Sequence, residues 1–176
     1  MHQALSALAT RIPDLNAHVA TALGLSIQDL PSRLSPEQVD AVALVLQVLR
    51  AGGGFLLADE TGFGKGRTLA ALALAGRREN RPVIVITENA NLFSDFYRDL
   101  LAVGGPQAPV PVPLHSTARI AGPEGQVVAR GTAAWPSPQP GLFITTTGLP
   151  SASTLRASSI WLGGTSRLER RPMQPP

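Results

Sequence analysis

The chain has 176 residues, 44% of them hydrophobic, which is enough material for one domain with a substantial core. Its formal charge of +3 is too small to argue by itself for a nucleic-acid partner, although after Gly105 the only acids are Glu124 and Glu169. Cysteine is absent, so disulfides and thiolate chemistry are excluded, and with neither a long apolar run nor a signal-peptide pattern at the N-terminus a cytoplasmic location is expected.

Residues 1–30 read as one or two short helices with a turn at Ile12-Pro13-Asp14. Leu5, Leu8 and Ala9, then Val19, Leu23 and Leu25, fall at helical spacing. His2 and His18 have no ligand-spaced partner and read as surface or packing residues.

Leu34-Ser35-Pro36-Glu37-Gln38 is a helix start. Ser35 suits the N-cap, Pro36 the first helical position, and Gln38 completes a capping box. Val39, Val42, Ala43, Leu46 and Leu49 mark a buried face, and Gly52 to Gly54 stop the helix. Gln38 has two readings, the cap alone or adenine recognition, because a side-chain amide both donates to and accepts from a base edge.

Phe55 to Ala58 is an apolar run that reads as a strand end, and Leu69 to Ala75 is a helical run. Between them lies a glycine-rich turn, Asp59-Glu60-Thr61-Gly62-Phe63-Gly64-Lys65-Gly66-Arg67-Thr68. Such a turn leaves backbone N–H groups pointing inward, and the following helix adds partial positive charge. Gly62, Gly64 and Gly66 carry no Cβ to block a phosphate chain, and Lys65 supplies a mobile charge for the outer phosphates. The segment departs twice from the usual phosphate loop: Asp59 replaces its first glycine, and Gly66 replaces the magnesium-binding hydroxyl residue. The plain alternative is a glycine-rich turn with a surface lysine, and the strand–loop–helix setting favours a nucleoside-triphosphate cradle.

Val83 to Thr87 is a continuous β-branched run, expected as a buried parallel strand. Asn91 to Val103 follows as an amphipathic helix with Leu92, Phe96 and Leu100 inward, closed by Gly104-Gly105. This alternation predicts a parallel α/β sheet with ligands beyond the carboxyl ends of its strands. Prolines at 106, 109, 111, 113, 123, 136, 138 and 140 exclude long helices from 106–140, where only Val110 to Leu114 and Gln126 to Ala129 are strand-like. Gly141 to Thr147 reads as another core strand. Residues 151–176 lose the strand–helix rhythm and are expected to be a poorly ordered tail, from out-of-register coding or a truncated end.

Three segments appear in a telling order: Leu34 to Val42, Asp59 to Arg67, and Ile86 to Leu100. Together they resemble the N-terminal part of the strawberry notch-like proteins, a branch of the superfamily 2 helicase-like ATPases. That family carries G-x-G-K-G-R in its loop, so both departures look like family habit. The similarity covers roughly residues 30–105, with a weaker echo at Phe143 to Leu149.

The resemblance implies an α/β fold: an incomplete RecA-like P-loop NTPase lobe at 31–150, after a helical lead-in at 1–30. It implies ATP with Mg2+ as cofactors, and an ATP-driven motor acting on nucleic acid, DNA in the first instance. Gln38 would read the adenine, and Lys65, the expected catalytic residue, would hold the β- and γ-phosphates. Thr61, Gly62, Phe63, Gly64, Gly66 and Arg67 would line the phosphates. Thr68 would turn toward magnesium or simply pack in its helix, and Thr87 to Asn91 would lie near the nucleic-acid strand. No residue is assigned as a metal ligand.

One departure from the family pattern is serious. Helicase-like ATPases carry a second acidic motif on a later strand, whereas here only Glu169, in an arginine-rich tail, follows Glu124. A second lobe with its arginine finger, worth roughly 10³ to 10⁵ in rate, is also missing from the sequence. The expectation is therefore an ATP-binding fragment with little or no turnover alone, and a second lobe supplied by another chain. The alternatives are a non-enzymatic nucleic-acid or protein-interaction module, supported by arginines 119, 130, 156, 167, 170 and 171, and a product without a stable fold.

Overall fold

The computed structural model describes residues 2–56, 64–115, 117–132 and 140–146. The tail expected at 151–176 lies outside the described residues, as do Leu57 and Ala58.

Two helices open the chain, α1 (His2–Ala9) and α2 (Leu15–Leu23). Asp14 caps α2 by accepting the Ala17 N–H at 2.9 Å, and Gly24 ends it in the left-handed conformation that a Cβ disfavours. A single turn, α3 (Leu30–Arg33), follows that helical periodicity did not indicate. Next comes α4 (Pro36–Arg50), opened by the expected capping box. Ser35 Oγ accepts the Gln38 N–H at 3.4 Å, and Gln38 Oε1 accepts the Ser35 N–H at 3.0 Å. Val39, Val42, Ala43 and Leu46 are buried as expected, but so are Ala41, Leu44 and Val45, because α4 is covered from several sides.

The expected strand at Phe55 to Ala58 is not seen where the chain is described. Phe55 and Leu56 are in no strand pairing among the described residues, and Leu56 is 86% exposed. Helix α5 (Lys65–Arg78) starts four residues before the apolar period does. Gly64, at φ 70°, turns the chain into it, and the Arg67 and Thr68 N–H groups bond back to Gly64 O at 3.0 and 3.3 Å. Arg77 and Arg78 sit in the last turn, where they complement the helix dipole.

The strand β1 (Val83–Thr87) leads into α6 (Leu92–Gly104). The inward face of α6 is Phe93, Phe96, Tyr97, Leu100 and Val103, and Leu92, expected inward, is exposed. The one-residue correction arises because α6 is covered by both α5 and the hairpin described next, which sets its phase. Past Gly105, whose φ of 74° ends α6, come β2 (Val112–Pro113), β3 (Arg119–Ala121), β4 (Val127–Arg130) and β5 (Leu142–Thr146). No helix is described between 106 and 132, in line with the prolines. The expected strand at 110–114 contracts to two residues, and β3, not anticipated, pairs antiparallel with β4 across a bulge at Ile120/Ala121. Ser94 Oγ accepts the Ala121 N–H at 3.0 Å, which pins this hairpin to α6.

The main sheet is parallel throughout, in the order β1-β5-β2, with Val85 opposite Ile144 and Pro113 opposite Ile144 on the other side. The fold is thus α/β with a parallel sheet, as the alternation predicted. All of β5 is buried, as a central strand should be. The β-branched run of β1, expected to be buried, stands at one end of the strand order among the described residues, and Ile86 is 56% exposed. One hydrophobic cluster joins the lead-in residues Val19, Leu23 and Leu30 to Val42, Ala71, Leu100 and Ile144. Among the described residues no helix is long and apolar enough to cross a membrane.

Candidate nucleotide site

The start of α5 brings together side chains from three helices. Gly64, Lys65 and Gly66 make the turn into the helix, and its terminus carries partial positive charge. From α4, Gln38 Nε2 donates to Gly64 O at 3.2 Å. A Cβ on Gly64 would collide with that Nε2 atom. From α6, Asp99 comes against Gly66 in the same way: a Cβ on Gly66 would overlap Asp99 Oδ2. Lys65 is therefore bracketed by two glycines, each backed by a polar side chain from another helix. At Gly64 the positive φ is what calls for glycine, whereas at Gly66 the contact is with the end of one flexible side chain.

Charge at this end of α5 is mixed. Burial pushes the Asp99 carboxyl above the ordinary carboxylate range, with Arg98 and Arg67 pulling it back down and Asp95 adding to the rise. Among the described residues Asp99 accepts no hydrogen bond and closes no ion pair. Arg67 is exposed, and Lys65 and Gly66 are half-buried. Thr68 is 3% exposed and belongs to the buried side of α5, the packing alternative of its two readings. The remaining expected loop residues, Thr61, Gly62 and Phe63, lie outside the described residues.

The described geometry is a glycine turn at 64, one lysine and a helix terminus with partial positive charge, a setting in which an anion can be held. A family model described as P-loop containing NTP hydrolase pore-1 matches residues 6–134. The chain belongs to that family. No curated protein and no solved structure gives a match.

In a P-loop NTP hydrolase the helix that follows the loop receives the phosphates of a nucleotide, which is bound together with Mg2+. Here the helix that follows the glycine turn is α5, and Lys65 is its first residue. No three His, Cys, Asp or Glu side chains among the described residues cluster to hold a metal by themselves. The cleft lined by Leu23, Leu74, Arg77 and Arg78 lies at the opposite end of α5 and takes no part in this site.

Of the residues expected from sequence, Gln38, Gly64, Lys65 and Gly66 are brought together at one end of α5. Thr87 to Asn91 forms a tight turn after β1, where Thr87 Oγ1 donates to Asn89 O at 2.9 Å and Asn89 Oδ1 accepts the Asn91 N–H at 3.1 Å. Asp99 was missed. Its signal was indirect: an acid at the margin of an apolar helix face, three residues from Phe96 and four from Val103.

Proposed function

We propose that the chain is the ATP-binding lobe of a strawberry notch-like superfamily 2 helicase-type ATPase, with little or no turnover of its own. Membership in the P-loop NTP hydrolase family supports nucleotide binding, and the contact between Gln38 and Gly64 carries the finer reading. A glutamine amide offers two N–H groups and two carbonyl lone pairs. One N–H is used on Gly64 O and one lone pair on the Ser35 N–H. The remaining pair matches the N7 acceptor and N6 donor of adenine, whereas guanine presents two acceptors on that edge. Capping and base reading are thus compatible functions of one side chain, held beside the phosphate loop.

DNA is the track in this proposal, and another chain or segment supplies the acidic motif and the arginine finger. Titration with ATP and GTP in Mg2+ tests it. Lys65→Ala should weaken ATP binding by about 2 kcal/mol, roughly 30-fold, for loss of a charged hydrogen bond. Unchanged ATP affinity in that variant would remove the proposal. Equal affinity for GTP would remove the adenine part alone, and nucleic-acid binding indifferent to nucleotide would favour an interaction module instead.

A further inference from the structure

The usual phosphate loop places a serine or threonine after its lysine, and that hydroxyl binds the magnesium of the bound nucleotide. This chain has Gly66 there, so the hydroxyl is missing. Thr68 is a poor substitute. Two residues along a helix turn it by roughly 200°, so its side chain leaves from the far side of α5 relative to residue 66. It is also 3% exposed, within the buried face.

The space that a side chain at 66 would fill is already taken. The three atoms nearest to a Cβ there are Oδ2, Cγ and Oδ1 of Asp99, the last at 3.9 Å. A carboxylate oxygen from α6 stands where the side chain of the hydroxyl residue would begin. Among the described residues it has neither a hydrogen-bond donor nor a cationic partner, although Arg67 and Arg98 are near enough to influence it. A half-buried carboxylate with no hydrogen bond or ion pair among the described residues, set against the start of α5, has lone pairs available to a cation. Magnesium in nucleotide sites is commonly held by one or two carboxylates, the phosphates and several waters.

We propose that Asp99 supplies the protein oxygen for the nucleotide-bound Mg2+, in the position left by the missing hydroxyl at residue 66. Because it rests on the nucleotide-binding lobe proposed above, the test separates nucleotide from metal. Binding of a fluorescent ATP analogue to the full chain is measured in Mg2+ and in EDTA, and Mn2+ binding in the presence of ATP is followed by electron paramagnetic resonance. Asp99→Asn should not weaken affinity in EDTA, since it removes a negative charge beside the phosphates, while the gain from Mg2+ and the Mn2+ affinity fall by about tenfold or more. Adding Gly66→Ser to Asp99→Ala, which restores a hydroxyl in the vacated space, should recover much of the gain.

A full Mg2+ gain in Asp99→Asn overturns the proposal. So does an equal loss in both buffers accompanied by a lower melting temperature, which would make Asp99 an anchor for the start of α5. Absence of nucleotide binding by the unaltered chain in either buffer overturns both this assignment and the ATP-binding lobe.

Discussion

At the scale of single residues, Gln38 holds the start of α4 with one end of its amide and the Gly64 carbonyl at the start of α5 with the other. The two duties separate by substitution. Gln38→Glu retains a carboxylate oxygen for the Ser35 N–H, and glutamate is a usual partner in a capping box. It loses the N–H that reaches Gly64 O. Gln38→Ala loses both bonds. Thermal unfolding should therefore show Gln38→Ala destabilised by about 1 kcal/mol and Gln38→Glu less so, whereas ATP affinity should fall in both. Wild-type ATP affinity in Gln38→Glu would show that the donor has no part in binding. Gln38 was legible in the sequence because its cap partner is three residues away and the spacing is a local signature. Asp99 was not, because its contact with Gly66 is made between helices far apart in the chain. The sequence held only the negative half of that contact, a glycine where a hydroxyl was due.

Between elements, a chain of polar contacts ties α2 to α4 and to the end of α5. The Arg50 guanidinium donates from Nη1 to His18 Nε2 at 3.1 Å and from Nε to Glu79 Oε1 at 2.9 Å, and Arg81 Nε lies 3.1 Å from Glu79 Oε2. Because arginine only donates, this contact requires Nε2 of His18 to be unprotonated. Partial burial, and then the charge of Arg50, lower the His18 pKa below its ordinary 6.5. The unfolded chain therefore binds the proton more readily than the folded one. The contribution is complete above pH 6.5 and is lost as pH falls from there through the lower folded value. Between about pH 8 and about pH 5 the melting temperature should drop more for the wild type than for His18→Gln, whose amide oxygen accepts from Arg50 without titrating. Equal drops would show that His18 does not couple folding to pH. Element identity was well marked in the sequence where a cap or a breaker is local, as at Ser35 and Gly105. Exposure was less legible. The run Val83 to Thr87 signals burial, but whether a strand is central or at the edge depends on sheet order, which no local pattern encodes.

Across the whole molecule, the lead-in helices and the parallel sheet share one core. Leu30 is 1% exposed, Val19 and Ile144 are fully buried, and all three fall in the same hydrophobic cluster. Arg33 on α3 adds a polar tie, donating from Nη1 to Ala102 O on α6 at 3.2 Å. The nucleotide site draws on this continuity, since Gln38 reaches Gly64 only while α4 is held against α5, and Asp99 reaches Gly66 only while α6 is. Shared burial predicts shared unfolding. Leu30→Ala in the lead-in and Ile144→Ala in the central strand should each destabilise by about 2–5 kcal/mol, the range for deleting a large buried aliphatic side chain. Each should lower the midpoint of one common transition, followed by circular dichroism at a helical wavelength and by fluorescence of a bound ATP analogue. If Leu30→Ala instead melts an early helical phase and leaves the analogue bound, the lead-in is a separate unit and the site does not depend on it. Coincident transitions, with nucleotide lost at the same midpoint in both variants, are the expected result, because the side chains that bracket Lys65 come from helices packed on that single core.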